Sequence, residues 1–333
     1  MTKALITGVS GMVGSHLAEY LLDHTDWDIV GMIRWRSPLD NLRRLVSEAN
    51  QGGRVKFVYA DLRDTLSIRD AVRKSKPDYV FHLAAQSYPL TSFTSPLDTL
   101  DTNVQGTVRL LEAIREFAPR AWVHNCSSSE VYGRVTRDKL PIKEDCPFAP
   151  ASPYAISKAS ADMAGRFYAE AYNLRILTTR MFTHTGPRRG DVFAESSFAK
   201  QIEMINGGLM NPPIKVGNLA SLRTVADVRD AVCAYHMLLT VNPVPGAVYN
   251  IGGNHVCTVG DILKALFRLS GIRYPVETDP SRLRPLDADL QVPDCSAFKA
   301  ATGWEPAIPF DETMAGLLSY WRENVRNGPC LQR

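Results

Sequence analysis

The first fourteen residues set the strongest constraint on the fold. Lys3-Ala4-Leu5-Ile6-Thr7 is an apolar run of strand length, Gly8-Val9-Ser10-Gly11-Met12-Val13-Gly14 follows at once, and Leu17, Leu21 and Leu22 then recur at helical spacing. A buried strand, a glycine-rich turn and a helix N-terminus form a cradle for a pyrophosphate, because free backbone N–H groups and the helix dipole both favour an anion. The spacing is Gly-x-x-Gly-x-x-Gly and not the commoner Gly-x-Gly-x-x-Gly. A glycine triplet alone also marks a simple tight turn; its place between strand and helix is what points to a dinucleotide.

The alternation of strand and helix continues through the first half of the chain. The second strand, 28–33, ends at Arg34-Trp35-Arg36-Ser37. An acidic residue there would hold the ribose 2′-hydroxyl of NAD, whereas arginine opposes it and can pair with a 2′-phosphate, so the reading favours NADP over NAD. A third strand, 55–59, ends at Asp61-Leu62, placed to flank the adenine; a fourth, 79–85, ends in Leu83-Ala84-Ala85, small enough for close approach to a cofactor. His82 reads as a packed strand-end residue. Leu100, Val104, Val108, Leu111 and Ile114 predict one long helix over 96–117, with Asn103 as a polar residue inside it. A fifth strand, 121–126, delivers Ser127-Ser128-Ser129-Glu130-Val131-Tyr132-Gly133 at its carboxyl end, where ligands of parallel sheets bind. A sixth, 175–180, leads into the stretch from Met181 to Gly190. Beyond it the alternation loosens, with helices over 227–239 and 258–269 and a strand over 248–251. The pattern predicts a doubly wound (Rossmann) parallel sheet with a smaller C-terminal α/β substrate lobe. The first would take 1–180 with a later contribution from about 223–251, the second 181–222 and 252–333.

Chemistry concentrates in two segments. After Ser127 to Gly133 comes Ser152-Pro153-Tyr154-Ala155-Ile156-Ser157-Lys158. Proline suits the first turn of a helix, so Tyr154 and Lys158 fall four residues apart on one face. Two unit charges about 4 Å apart at an effective dielectric of about 20 interact by roughly 4 kcal/mol, enough to bring a phenol from a pKa near 10 to about 7, where it can act as a general base. Ser128 could share the proton of a substrate alcohol. Glu130 adds a carboxylate that simple alcohol oxidation does not require; a helix-start or hydrogen-bonding role is its structural alternative.

Composition excludes other classes. A net charge of +3 over 333 residues does not suit a nucleic-acid binder, and no apolar run approaches the roughly 18 residues of a membrane span. The N-terminus reads directly as a strand, without a signal peptide. The cysteines at 126, 146, 233, 257, 295 and 330 are widely spaced, and neither they nor the seven histidines show metal-ligand spacing, so the expected setting is a reducing cytoplasm with no metal.

Together the glycine triplet, the Ser-Ser-Ser-Glu-Val-Tyr-Gly segment, Ser-Pro-Tyr-x-x-x-Lys, Val216-Gly217-Asn218-Leu219 with Arg223, and Leu283-Arg284-Pro285 resemble the extended short-chain dehydrogenase/reductase family. The similarity runs from Thr7 to about Pro309 and is closest to its nucleotide-sugar branch, where GDP-mannose 4,6-dehydratases and GDP-6-deoxy-4-keto-mannose reductases both look similar. The resemblance implies a GDP-sugar substrate and a homodimer or homotetramer, with dimers pairing the Asn103 and Tyr154 helices. It implies Ser128, Glu130, Tyr154 and Lys158 as catalytic. Around the cofactor it implies Gly8, Gly11, Met12, Val13, Gly14, Arg34, Arg36, Asp61, Leu62, Leu83, Ala84, Ala85, Asn103, Ser127, Tyr154, Lys158, Phe182, His184 and Arg189. Around the sugar nucleotide it implies Ser87, Ser128, Ser129, Glu130, Thr183, Arg189, Lys200, Val216, Asn218, Arg223 and Arg284. The chain departs from the pattern at Thr224, where an aspartate normally follows the arginine, and at Trp35, which interrupts a pair of arginines. The dehydratase reading gives Glu130 work to do; a keto-sugar reductase, a nucleotide-sugar 4-epimerase and a non-catalytic nucleotide sensor are the alternatives.

Overall fold

The computed structural model describes residues 1–328. Its first lobe alternates strands and helices: β1 (Lys3–Thr7), α1 (Met12–His24), β2 (Asp28–Ile33), α2 (Arg43–Asn50), β3 (Val55–Tyr59), α3 (Thr65–Ser75) and β4 (Tyr79–His82). Next come α4 (Pro89–Thr94), α5 (Pro96–Leu100), a π-helical turn (Asp101–Gln105), α6 (Gly106–Phe117), β5 (Trp122–Cys126), α7 (Pro153–Tyr172) and β6 (Arg175–Met181). The second lobe contains β7 (His184–Thr185), α8 (Ala194–Asn206), β8 (Ile214–Val216), β9 (Leu222–Asp227), α9 (Val228–Thr240), β10 (Val248–Ile251), β11 (His255–Thr258), α10 (Val259–Ser270), β12 (Val276–Thr278), β13 (Leu290–Gln291), α11 (Ser296–Thr302) and α12 (Phe310–Asn327), although several of these return to the first.

Seven strands form one parallel sheet in the order β10-β6-β5-β4-β1-β2-β3. The chain runs outward from β1 to β3 and then crosses back to β4, so the crevice between the carboxyl ends of β1 and β4 is the topological switch point. Strand residues alternate between two cores. Ala4, Ile6, Ile29 and Phe81 pack under α1 and α9, while Leu5, Val30, Val80 and Val123 pack under α3, α6 and the end of α7. Phe298 of α11 and the adjacent Trp304 also enter the first of these cores. The smaller lobe has a sheet in the order β11-β9-β13, with β7 added beside β9, and a two-stranded β8–β12 pair. No helix among the described residues is long and apolar enough to cross a membrane, and no cluster of three or more His, Cys, Asp or Glu among them could hold a metal. Five cysteines are unbridged; Cys330 lies outside the described residues.

The single helix expected over 96–117 is divided by the π turn, and its inward face begins with polar side chains. Asn103 and Thr107 are buried where the apolar pattern had placed Val104 and Val108.

A buried ion pair ties α7 to β6. Arg180 donates from Nε to Asp162 Oδ2 (2.9 Å) and from Nη1 to Tyr132 Oη (2.9 Å) and the Glu144 carbonyl (2.6 Å). Arg180→Met leaves a fully buried carboxylate short of its main partner, so a loss of about 3–5 kcal/mol is expected, on the order of 10 °C in Tm. Thermal melts check it, and the double variant Arg180→Met/Asp162→Leu should recover part of the loss.

Candidate active site

The glycine turn is shaped by the backbone it must pass. Gly8 has φ +70°, and a Cβ there would lie 2.8 Å from Ala84 Cα; one on Gly14 would lie 2.3 Å from the Gly8 carbonyl oxygen. The turn is thus pressed against the end of β4 on one side and the first turn of α1 on the other. Gly11 caps α1 without a side chain, and no acidic residue stands in that first turn, which leaves the helix N-terminus open to an anion. Gly8, Gly11, Met12, Val13 and Gly14 all line one cavity of about 840 Å³ running between the lobes.

The same cavity is lined by Ser127, Ser128, Ser129, Glu130, Tyr154 and Lys158. Their placement follows from local structure. β5 ends at Cys126, and Ser128 caps a short 3₁₀ turn (Ser129–Tyr132), its Oγ accepting from Glu130 N–H at 3.2 Å. Ser152 caps α7, its Oγ accepting from Ala155 N–H at 3.0 Å, and Pro153 occupies the first turn. Tyr154 and Lys158 therefore emerge from the first two turns of α7 into the cavity. Lys158 Nζ donates to the Cys126 carbonyl at 2.6 Å, which fixes the ammonium beneath the end of β5.

The Tyr154 phenol does not show the lowering expected from Lys158. Burial pushes the phenol up, with a hydrogen bond to Ser128 acting the other way, and burial also lowers Lys158. Desolvation thus opposes charge at both positions, which favours the neutral phenol. Glu130 is engaged as well: Arg284 Nη1 lies 3.2 Å from Glu130 Oε1 and 3.2 Å from Asp287 Oδ1.

Of the other expected cofactor residues, Arg34, Asp61, Leu62, Leu83, Ala84, Ala85, Phe182, His184 and Arg189 line the cavity, while Arg36 and Asn103 do not. Arg34 and Ser37 close a tight turn on each other, leaving Arg36 on the exposed side. Asn103 is buried, with its amide spent on Gln86 and Ser157. His184 Nδ1 lies 3.0 Å from the Phe182 carbonyl and must donate to it; burial lowers its pKa to about 4, which keeps the ring neutral. Arg189 stacks over Phe193, 3.4 Å from the ring centroid, and donates to Glu195.

Of the residues expected around a sugar nucleotide, Ser87, Thr183, Asn218, Arg223 and Arg284 line the cavity, and Lys200 and Val216 do not. Lys200 pairs with Asp191 (2.8 Å) over the Trp321 ring, and Val216 is buried in the β8–β12 pairing. Asn218 is bound to Ser221 and Asp289, and Arg223 to the Leu222 and Asp289 carbonyls. Lining residues outside the expected site set include Arg188, Arg282 and Tyr235. The first two stand beside residues that were singled out, but Tyr235 lies on the apolar stripe of α9 and looks like any core residue.

The family model described as GDP-mannose 4,6 dehydratase matches residues 5–317, nearly the whole chain. The chain belongs to the GDP-mannose 4,6 dehydratase family. Among the similar proteins, the GDP-6-deoxy-D-mannose reductase of Pseudomonas aeruginosa is 31% identical over 98% of this chain and 99% of its own length. GDP-mannose 4,6 dehydratase 2 of Arabidopsis thaliana is 34% identical over 93% of this chain and 84% of its own. The structure of RMD from Pseudomonas aeruginosa complexed with NADPH superposes with a TM-score of 0.82 at 30% identity, covering 97% of this chain and all of that one.

The buried His82 and His124 and the partly buried His184 are expected to give this family member a pH-dependent stability. His82 and His124 are each held near pKa 3 and His184 near 4 by burial, against 6.5 when exposed. The unfolded chain therefore binds more protons between pH 6.5 and 4, and stability is full above pH 6.5 and falls as pH drops through that window. At pH 5 the loss is about 1–2 kcal/mol per histidine. Tm measured from pH 7.5 to 5 should fall steadily; a flat Tm would contradict the burial of these rings as neutral species.

Proposed function

We propose that the chain is an NADP(H)-dependent nucleotide-sugar 4,6-dehydratase acting on GDP-mannose or a close GDP-sugar. The observation that carries the reading is that Glu130 lines the same cavity as Ser128, Tyr154 and Lys158, at the carboxyl end of the sheet beside an open helix N-terminus. The cradle fits a dinucleotide: Gly8 and Gly14 admit no side chain, and Arg34 stands at the end of β2 where a 2′-phosphate would lie. NADP, once bound, supplies a hydride acceptor and donor. The chain up to 180 with a later contribution from about 223–251 serves the cofactor side, and Phe298 and Trp304 pack into the same core. Arg223 and Arg284 from the second lobe serve the diphosphate and sugar side.

In this mechanism Tyr154 takes the proton of the sugar's 4-hydroxyl as carbon 4 is oxidised, Ser128 sharing that hydrogen bond, and Lys158 stabilises the phenolate. The ketone acidifies the proton on carbon 5. Glu130 removes that proton and passes it to the hydroxide leaving carbon 6, which departs as water; carbon 6 is then reduced while the proton taken earlier by Tyr154 is returned overall to carbon 5, so that no net reductant is consumed. The assay incubates purified protein with GDP-mannose and no added reduced cofactor. A 4-keto-6-deoxy product supports the reading; no conversion, with stoichiometric oxidation of NADPH on a keto-sugar, overturns it. That second outcome is the reductase reading, favoured by the near full-length match to the Pseudomonas aeruginosa enzyme and by the pairing of Glu130 with Arg284.

Self-association as a dimer belongs to the same proposal. Ile156, Met163 and Phe167 are exposed on one side of α7, with fractional exposures of 48%, 57% and 56%. Spacings of seven and four residues align them as a single apolar stripe, unusual for a surface helix. Phe167→Glu should shift the mass measured by light scattering towards the monomer, while an unchanged mass would place any interface elsewhere.

A further inference from the structure

Two hydrogen-bonded sets that meet at Asn103, one on its main-chain carbonyl and one on its side-chain amide, link the end of β1, just before the glycine turn, to the helix of Tyr154, and the first passes through His82. Thr7 Oγ1 accepts from the N–H groups of Leu83 (3.1 Å) and Ala84 (3.0 Å). Both of its lone pairs are then in use, so its proton is left to donate. It lies 3.0 Å from His82 Nδ1, which must be the acceptor, and the neutral ring carries its own proton on Nε2. Nε2 is 2.9 Å from Thr107 Oγ1, and Thr107 Oγ1 donates in turn to the Asn103 carbonyl at 2.6 Å. A second proton on the ring would face the Thr7 hydroxyl proton; burial, aided by the nearby Lys158 charge, holds the His82 pKa to about 3.

Asn103 also carries the second set. It sits in the π turn, its Oδ1 accepting from Gln86 N–H at 2.8 Å and its Nδ2 donating to the Gln86 carbonyl and to Ser157 Oγ, both at 2.9 Å. Ser157 Oγ donates to the Tyr154 carbonyl at 2.7 Å. The wall of the cavity formed by 83–86 and the first turn of α7 are thus fastened by the same set of groups. Every member has one possible direction, and every ring nitrogen and hydroxyl in it is satisfied.

We propose that His82 is a positioning residue: as the neutral Nε2–H tautomer it locks the cofactor-facing wall at 83–86 to the helix that carries Tyr154, fixing the distance between the cofactor seat and the phenol. The inference rests on the reading that a nicotinamide cofactor occupies this cavity and that Tyr154 acts on the substrate.

The two sides of the ring can be tested separately. His82→Gln keeps a donor near Nε2 and removes the acceptor for Thr7; His82→Asn keeps an acceptor near Nδ1 and removes the donor to Thr107. Cofactor affinity is read by NADPH fluorescence titration without substrate, kcat and KM on whichever reaction the wild type performs, and folding by thermal melts. His82→Gln should weaken NADPH binding about 5–30-fold, the range set by one buried hydrogen bond lost. His82→Asn should leave NADPH affinity within about 2-fold and lower kcat about 10-fold with little change in KM. Thr107→Val should repeat the His82→Asn result, and Thr107→Ser, which restores the hydroxyl, should return kcat to the wild-type value. The proposal is overturned if the folded variants differ from wild type in Tm alone, or if Thr107→Ser behaves like Thr107→Val. If either histidine variant fails to fold, the threonine pair decides it. The NADPH arm uses no sugar nucleotide, so a failure of the dehydratase reading would not alter it.

Discussion

Tyr154→Phe is expected to lower kcat by about 10²–10⁴-fold, the contribution typical of a positioned proton acceptor, while NADPH affinity stays near the wild-type value. The change removes one oxygen from a side chain that is 8% exposed and otherwise packed, so the fold should be unaffected. A second signature follows from the direction of the phenol's shift. Burial favours its neutral form, so the active phenolate grows as pH rises, and log kcat/KM of the wild type should climb through the neutral and alkaline range. The phenylalanine variant should lose that slope together with its rate. Equal activity in wild type and variant at every pH would remove Tyr154 from the chemistry, and with it the objection that a nucleotide sensor needs no such phenol.

Glu130→Gln should separate the two enzymatic readings. The amide preserves shape and hydrogen bonding towards Arg284 but cannot take a proton, so elimination across carbons 5 and 6 should fall about 10²–10⁴-fold. Oxidation at carbon 4 needs no base at that position; stoichiometric reduced nicotinamide should therefore accumulate on mixing with GDP-mannose, and solvent deuterium should no longer enter at carbon 5. If the protein is instead a keto-sugar reductase, the same variant should keep its kcat within about 3-fold, because a change in one ion pair is then all that has happened. Product analysis by mass spectrometry and absorbance of the nicotinamide distinguish the outcomes.

The seven-stranded sheet was legible in the sequence because its central strands are buried on both faces and its turns carry their own signals. β1, β2, β3 and β10 occupy the stretches that apolar runs marked, and Ser152-Pro153 announced the start of α7. The π turn was not legible. A periodicity of apolar residues describes only half of a helix surface, and here the inward positions are Asn103 and Thr107, chosen for hydrogen bonds and not for burial of carbon. The second lobe was harder for a different reason. Its strands have two to six residues and pair across long separations, Ile214 with Val276 and Leu222 with Leu290, so no local pattern predicts the partner. The same distance hid the ionic attachments. Residue type marked Arg284 and Lys200 as anion binders, but whether such a side chain faces a cavity or a neighbouring carboxylate depends on folding that places Glu130 beside one and Asp191 beside the other.

The insertion of β10 at the edge of the large sheet has a consequence for synthesis. Val248–Ile251 pairs with β6, and Phe298 with Trp304 closes the core beneath, so the nucleotide-binding half is completed only after most of the chain has left the ribosome. Until then β6 presents an open edge of hydrogen-bonding groups beside uncovered apolar side chains, a surface that invites pairing with other nascent chains. A fragment ending at 180 would carry that edge permanently, and the edge and core are sealed only once the chain has passed Trp304.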